Sequence, residues 1–382
     1  MEMRLSRSIV GKKEADAVAE VICEDGYLGM GGTTRKFEEA VARYLGIEPW
    51  QAISVNSGTA ALHLACQAAR IQSDLPESEL AEILVPTLTF VASFQAITGA
   101  GCKPVACDVL TATGTLDLED AERRITPRTI AVMHVDYASN PWRLDRVYEF
   151  AKSHNLRMID DAAHAFGCKH HGRKIGSFGD IVCFSFDGIK NITCGEGGMA
   201  VAFARETAQL IADARLLGVE GDTQKRFAGG RSWDPDVRNQ GWRCHLSNIM
   251  AAIGLTQLER LETEFIPARQ KLYALYKSRL AGAPNLELLV TDPADYIVPH
   301  IMPVRILGGL RDGAVEFLHA NGVPTGTHYK PNHLLTLFGN GQESLPNAET
   351  LYGELATLPL HPGLAPEDVE KVCSLLLQVV SQ

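Results

Sequence analysis

The chain has 382 residues, of which 46% are hydrophobic and 21% are charged, proportions that are typical of a globular protein. Its 46 acidic residues outnumber its 36 basic ones, and the net charge of −10 disfavours a nucleic-acid-binding protein, which needs a basic surface. The length alone predicts about two or three domains.

Neither a secretory signal peptide nor a membrane-spanning segment is expected from the sequence. The first twenty residues, MEMRLSRSIVGKKEADAVAE, contain no apolar core of the kind that a signal peptide needs. No stretch of about 18 apolar residues occurs, so no membrane-spanning helix is expected. We therefore expect a cytoplasmic protein that has no membrane partner.

Nine cysteines are scattered along the chain and never form a C-x-x-C pair. An odd number without such pairs argues against a disulfide framework and against a zinc site. Several cysteines lie in apolar runs, such as Cys183 in DIVCFSF. We expect buried free thiols in a reducing compartment, and no metal ion.

Strand-like and helix-like segments alternate from about residue 35 to residue 205. Helices are predicted at 35–45, at 58–70, in the stretch that follows residue 86 and extends through Ile97, and at 144–154. Strands are predicted at 52–56, 82–86, 103–107, 129–135, 156–160, 180–186 and 198–203. This alternation predicts an α/β fold whose mostly parallel sheet is flanked by helices on both faces.

The remaining sequence is predicted to be mainly helical. A long helix is expected from Ser247 to Leu261, and others near 267–280, 312–321 and 366–380, with short strands between them. We therefore predict a large domain at residues 1–250, including an N-terminal segment, and a smaller C-terminal α+β domain at residues 251–382. The polar stretch 220–240 is the longest loop candidate.

Polar clusters follow three of the predicted strands, where α/β sheets bind their ligands. The first is Ser57-Gly58-Thr59, at the start of the helix 58–70. Free backbone N–H groups and the helix dipole favour an anion there. A simple helix cap is an equally good interpretation of these residues.

The second and third clusters contain an acid and a lysine. Asp160-Asp161 ends the strand 156–160, with His164 three residues later. A carboxylate there is either solvated or a partner for a protonated pyridine nitrogen. Lys190 lies between the apolar strand ending near Ser185 and a glycine-rich turn, and partial desolvation would make its amine a nucleophile. Most lysines are instead simple surface residues.

Taken together, these clusters resemble the sites of the sugar aminotransferase family that includes the DegT and StrS proteins. The matching stretches are NSGTAALHLA, VPTLTFVAS, IDDAAHAFG, FSFDGIKNITCGEGGMA, NIMAAIGLTQLERL and GTHYKPNHL, and they extend from near residue 27 to about residue 360. The resemblance implies the type I aspartate aminotransferase fold and pyridoxal 5′-phosphate as the cofactor. It also implies homodimers whose active sites lie at the subunit interface.

Roles for individual residues follow from the resemblance. Lys190 is expected to form the Schiff base with the cofactor, and Asp161, ranked above Asp160, to pair with the pyridine nitrogen. The other implied cofactor contacts are Ser57, Gly58, Thr59 and Ser185 at the phosphate, Phe90 on the pyridine ring, and His164 near the phenolic oxygen. Arg243 is expected to reach the partner subunit's phosphate, although the family usually has Asn or Lys there. A cation suits that position.

Substrate contacts and two departures complete the comparison with the family. His328 and Tyr329 match a segment near the substrate pocket, and a surface loop is the alternative interpretation. The tripeptide Asp187-Gly188-Ile189 replaces an aromatic residue or His followed by Pro-Thr, and the segment Asp136–Asn140 replaces a small, glycine-containing turn. Both departures bear on the substrate more than on the cofactor.

The implied activity is the transfer of an amino group from glutamate to a keto sugar. We expect a nucleotide-linked acceptor, aminated at C4 rather than C3, for polysaccharide, lipopolysaccharide or glycosylated metabolites. Amination of a free keto sugar or a sugar acid is an alternative. A sugar dehydratase is disfavoured because such relatives have His where this chain has Lys190. The last alternative is a non-catalytic regulator on the same fold.

Overall fold

The protein is organised around a seven-stranded sheet, in a computed structural model that describes residues 3–231, 233–339 and 344–381. The strands of this sheet are β1 (Ala52–Val55), β2 (Glu82–Pro86), β3 (Lys103–Cys107), β4 (Thr129–Val135), β5 (Arg157–Asp161), β8 (Ile181–Ser185) and β9 (Gly198–Ala202). Their order is β1-β9-β8-β5-β4-β2-β3. Six of the seven strands run in the same direction and β9 alone runs opposite to them, so the prediction of a mostly parallel sheet is confirmed. A short hairpin, β6 (Lys169–His170) and β7 (Arg173–Lys174), lies between β5 and β8 in the chain.

Helices cover both faces of the sheet. The helices of the chain are α1 (Lys12–Glu20), α2 (Gly32–Leu45), α3 (Gly58–Ile71), α4 (Val91–Gly99), α5 (Leu118–Arg123), α6 (Leu144–Ser153), α7 (Arg205–Ala214), α8 (Asp222–Phe227), α9 (Asn248–Arg260), α10 (Ile266–Leu280), α11 (Arg311–Ala320), α12 (Pro346–Glu354) and α13 (Pro366–Val380). Ile83 and Val85 of β2 belong to the apolar cluster that contains residues of α3, α4 and α7, whereas Leu84 belongs to the cluster that contains residues of α2 and α6. Successive strand residues point to opposite faces, so two apolar cores form.

The C-terminal part contains a second, antiparallel sheet. Its strands are β10 (Leu286–Leu288), β11 (Met302–Ile306) and β12 (Leu355–Leu358), with β11 in the centre. Residues of α10, α11 and α13 pack against this sheet in a separate apolar cluster. Helices combined with an antiparallel sheet agree with the α+β character expected here, while the domain boundary at residue 250 stays a prediction.

Several local features test the sequence predictions. The stretch 220–240, predicted to be a loop, contains the short helix α8, in which the Arg226 guanidinium bonds to the Asp222 carboxylate one turn earlier. All nine cysteines are free, as predicted, but Cys23 is exposed whereas the other eight are buried. Among the described residues, no helix is both long and apolar enough to cross a membrane.

Three strands end at the same edge of the central sheet. β5 and β8 are parallel, and β1 runs in the same direction because β9 separates it from β8 with two antiparallel pairings. The carboxyl ends of β1, β5 and β8 therefore lie side by side. This topology brings the three polar clusters of the sequence to one place.

Candidate active site

A cavity of about 340 Å³ lies at this edge of the sheet. Its volume is in the range of small-molecule binding sites. Nine of the eleven residues predicted for the site line it: Ser57, Gly58, Thr59, Phe90, Asp161, His164, Ser185, Lys190 and Tyr329. Residues separated by more than 250 positions along the chain thus share one cavity.

The first turn of α3 forms one end of the cavity. Ser57 is the N-cap, and its Oγ accepts a hydrogen bond from the Ala60 N–H at 3.1 Å. A Cβ atom on Gly58 would lie 2.7 Å from the Ser185 Cβ, so the helix start and the end of β8 can meet only at a glycine. The cap interpretation and the anion-site interpretation are compatible, because the early helical N–H groups still lack intrahelical acceptors.

Asp161 is held by two donors at the end of β5. The Ser93 hydroxyl donates to one carboxylate oxygen at 2.7 Å, and the Ala163 N–H donates to the other at 3.3 Å. Burial raises the pKa of Asp161, while these donors and the Lys190 amine oppose the rise. These two hydrogen bonds fix the orientation of the Asp161 carboxylate at the cavity wall. Ser93 lies within the stretch VPTLTFVAS, but the sequence did not indicate that it would contact Asp161.

Asp160 does not line the cavity. It is paired in register with His134 of β4, and strand alternation directs it to the face opposite Asp161. Burial and the nearby Asp136 raise the pKa of Asp160 well above its ordinary value. The two neighbouring acids thus occupy different environments, and Asp161 alone faces the cavity.

The Lys190 amine lies in the cavity beside a histidine. Its Nζ is 3.5 Å from His300 Nε2. Burial lowers the pKa of Lys190 to about 8, although Asp161 and Asp187 act in the opposite direction. A substantial fraction of the amine is therefore neutral near pH 8, the form that acts as a nucleophile.

His300 is a residue of this site that the sequence did not reveal. Its ring lies 4.6 Å from that of His164, and His164 Nε2 is 3.1 Å from the Tyr329 hydroxyl. Burial lowers the pKa of both histidines well below the ordinary value, so both imidazoles are neutral. A polar row from Lys190 to Tyr329 follows one side of the cavity. No motif marked His300, which lies 110 residues from Lys190 along the chain.

Two predicted site residues lie outside the cavity of their own chain. Arg243 is exposed. His328 bonds through Nδ1 to the Thr357 hydroxyl at 2.9 Å, and its carbonyl accepts a hydrogen bond from the Tyr137 hydroxyl. Tyr137 belongs to the segment Asp136–Asn140, one of the two departures from the family. That segment therefore supports the backbone that carries Tyr329.

The tripeptide Asp187-Gly188-Ile189, the other departure from the family, contributes a carboxylate to the cavity. Asp187 lines the wall beside Lys190, together with Glu196. Burial and the neighbouring Asp187 both raise the pKa of Glu196. The wall next to the amine therefore carries two acidic groups.

Comparison with known proteins identifies the family. A sequence model of the DegT/DnrJ/EryC1/StrS aminotransferase family matches residues 9–377. The chain belongs to this family. It is 33% identical to dTDP-4-dehydro-2,3,6-trideoxy-D-glucose 4-aminotransferase of Saccharopolyspora spinosa over 375 residues, covering 97% of this chain and 94% of that one. The prediction of a transaminase is confirmed.

Solved structures agree with this assignment. The aminotransferase TlmJ from Streptoalloteichus hindustanus superposes with a TM-score of 0.90 at 29% identity, covering 100% of this chain and 99% of that one. The protein Spr1654 from Streptococcus pneumoniae, solved in its PLP form, has a TM-score of 0.88 at 26% identity, covering 100% of this chain and 99% of that one. The predicted fold is confirmed, and aminotransferases of this family depend on pyridoxal phosphate.

The residues at the cavity fit this cofactor. A helix N-terminus with a glycine suits a phosphate, an oriented carboxylate suits a protonated ring nitrogen, and a buried amine suits an aldehyde carbon. In this chain these groups are the start of α3, Asp161 and Lys190, and all of them line the same cavity.

Gly58→Ala is expected to weaken pyridoxal phosphate binding by roughly 10- to 100-fold, because overpacking of this kind costs about 1–3 kcal/mol. The added Cβ would collide with Ser185 at the end of the cavity where α3 begins. Gly32→Ala is the matched control, since Gly32 is also the first residue of a helix and has open space around it. Equilibrium titration of both cofactor-free variants measures the effect, and equal affinities would contradict it.

The pKa of Lys190 predicts a pH dependence. Its neutral form increases as pH rises through about 8, so acetylation by acetic anhydride in the cofactor-free protein should be half-maximal near pH 8. Asp161→Asn should move that midpoint to lower pH, because the Asp161 charge raises the pKa of Lys190. Peptide mass spectrometry reads the labelling of Lys190. Asp312→Asn, at an exposed carboxylate, is the control that should leave the midpoint unchanged.

Proposed function

We propose that this enzyme transfers an amino group from glutamate to a keto sugar linked to a nucleotide, using pyridoxal phosphate bound at this cavity. The observation that carries the proposal is the convergence of Lys190, Asp161 and the start of α3 on one cavity of about 340 Å³. When bound, the cofactor supplies an electron sink that makes the carbon beside the amino group acidic.

The cofactor would be held by groups at three sides of the cavity. Ser57, Gly58, Thr59 and Ser185 would bind its phosphate, and Asp161 would keep its ring nitrogen protonated. Phe90 would cover the ring, since it lies at the exposed mouth with its own ring 5.5 Å from that of Tyr329. His164 would contact the phenolic oxygen as a neutral imidazole.

Lys190 is assigned two roles. Its amine would hold the cofactor at its aldehyde carbon, and the same amine would serve as the base that takes the proton from the α-carbon of the donor. A pKa of about 8 suits a base that must work near neutral pH. His300, at 3.5 Å, limits where the amine can move, and its neutral ring adds no positive charge beside it.

The acceptor is proposed from the wall of the cavity and from the relatives. Asp187 and Glu196 can accept hydrogen bonds from sugar hydroxyls. The relative from Saccharopolyspora spinosa is named for a dTDP-linked sugar and for amination at C4. A nucleotide would extend past Phe90 into the open mouth, and amino sugars of polysaccharides, lipopolysaccharides or metabolites are the products that we propose.

We further propose that the active enzyme is a homodimer in which Arg243 binds the phosphate in the partner's site. Arg243 is exposed and outside its own cavity, next to Trp242, whose side chain is also exposed. An exposed cation and tryptophan beside each other suit an interface that meets an anion.

Amination is tested with ¹⁵N-glutamate and a panel of 4-keto and 3-keto nucleotide sugars, a free keto sugar and a keto sugar acid. Mass spectrometry should show ¹⁵N in the product from a nucleotide-linked 4-keto sugar. Lys190→Ala should lower the rate by at least about a thousandfold, within the range attributed to a positioned base. Lys36→Ala, at an exposed lysine, should have no effect.

The other outcomes identify the alternatives. An unlabelled deoxy sugar would indicate a dehydratase, and a label only on a free sugar would overturn the nucleotide-linked acceptor. A protein that neither binds pyridoxal phosphate visibly nor responds to glutamate would be a non-catalytic regulator. Full activity of Lys190→Ala would contradict the roles assigned to this lysine.

Shared active sites predict complementation between variants. Mixing Lys190→Ala with Arg243→Ala should restore up to about a quarter of the activity, because half of randomly formed dimers are mixed and each contains one intact site. Mixing Lys190→Ala with Asp161→Ala is the control, since both residues lie in the same cavity and no intact site can form. Equal activity of the two mixtures would contradict the role of Arg243 across the interface.

A further inference from the structure

A second cluster of metal-binding side chains lies away from the cavity, where the β6–β7 hairpin meets the segment 292–296. The two segments are joined by backbone hydrogen bonds of 2.9 Å in both directions between Lys169 and Tyr296. One candidate ligand atom from each of His170, His171 and Asp295 lies within 4.8 Å of the others. The prediction of no metal considered cysteine spacing, whereas this group consists of histidines and an acid.

We propose that His170, His171 and Asp295 bind a divalent transition-metal ion such as Zn²⁺. Two imidazoles and a carboxylate form a ligand set that Zn²⁺ uses in proteins, whereas Mg²⁺ and Ca²⁺ prefer oxygen atoms alone. Zinc–ligand distances of about 2.0–2.2 Å place tetrahedral ligand atoms roughly 3.3 Å apart. The side chain of His171 is half-exposed and its ring stacks on that of His170, so a change of its rotamer would close the remaining distance.

Buried atoms without hydrogen-bond partners support this assignment. Asp295 has no exposed side-chain area, and its Oδ2 has no hydrogen-bond partner, while its Oδ1 is 2.8 Å from His170 Nδ1. His170 is also buried, and its Nε2 has no hydrogen-bond partner. Buried polar atoms in this state are costly, and coordination of a cation would satisfy them.

The charges around the cluster also favour a cation. Asp145 and Asp292 add two carboxylates, at 3.6 Å from His170 Nε2 and 3.5 Å from His171 Nε2. The basic side chains of the hairpin lie over aromatic rings instead: Lys169 over Tyr296, Arg173 over Phe178 and Lys174 over Tyr44. Three acids therefore surround two histidines.

A bound ion would also restrain the segment that connects the cluster to the active site. Asp295 is five residues before His300, and between them the Val298 carbonyl accepts a hydrogen bond from the Asn191 side chain at 3.1 Å. Coordination of Asp295 would thus fix the segment that brings His300 to the Lys190 amine. The ion would act as a structural clip outside the chemistry of amino transfer.

Calorimetric titration of the untagged holoenzyme with Zn²⁺, after dialysis against a chelator, tests the site. We expect one ion per chain with a Kd below about 10 µM, and a melting temperature raised by several degrees at saturation. His170→Ala and His171→Ala should each weaken binding at least about tenfold. His171 is partly exposed, so its variant should fold even if the His170 variant does not.

The control is His154→Ala. Like His171, which faces Asp292, His154 faces one carboxylate, that of Glu122, but it lies outside the cluster. It should bind Zn²⁺ as the unchanged enzyme does. The proposal is overturned if no stoichiometric binding occurs, if Mg²⁺ competes at equal concentration, or if His171→Ala binds Zn²⁺ with unchanged affinity.

Discussion

The site depends on keeping the amine of Lys190 away from bulk water. An ammonium group loses hydration when it is buried, and this loss lowers the pKa of Lys190 to about 8 against the attraction of Asp161 and Asp187. With less burial the pKa of Lys190 would be higher and the amine would stay protonated. A closer carboxylate would raise the pKa in the same way. The apolar cores on both faces of the sheet supply the dry surroundings that this balance requires.

Glycines allow three segments to approach each other closely at the end of the cavity where α3 begins. A Cβ on Gly198, the last glycine of the GEGG stretch, would lie 2.3 Å from the Ser57 carbonyl oxygen, and one on Gly58 would collide with Ser185. β9, the turn before α3 and the end of β8 therefore approach each other more closely than side chains permit. The glycine-rich stretch after Lys190 thus serves close packing at a junction of three segments.

Sequence patterns were sufficient for the sheet and for the residues at its strand ends. Alternating segments predicted the parallel strands, and the rule that ligands bind at their carboxyl ends placed Ser57, Asp161 and Lys190 together. His300 could not be found in this way, because it reaches Lys190 from the distant C-terminal part of the chain. Helix α8 was missed because five of its six residues are polar and a local ion pair stabilises it.

The difference between Asp160 and Asp161 shows how one strand can make two chemical groups from adjacent identical residues. On the face away from the cavity, burial raises the pKa of Asp160 well above its ordinary value and that of Asp136 to about 8. Asp136 is therefore largely protonated at neutral pH. Asp161 has the Ser93 and Ala163 donors, which favour its charged form. In the proposed site a cationic ring nitrogen would meet the Asp161 carboxylate at this strand end, where burial disfavours the charged forms of Asp136 and Asp160.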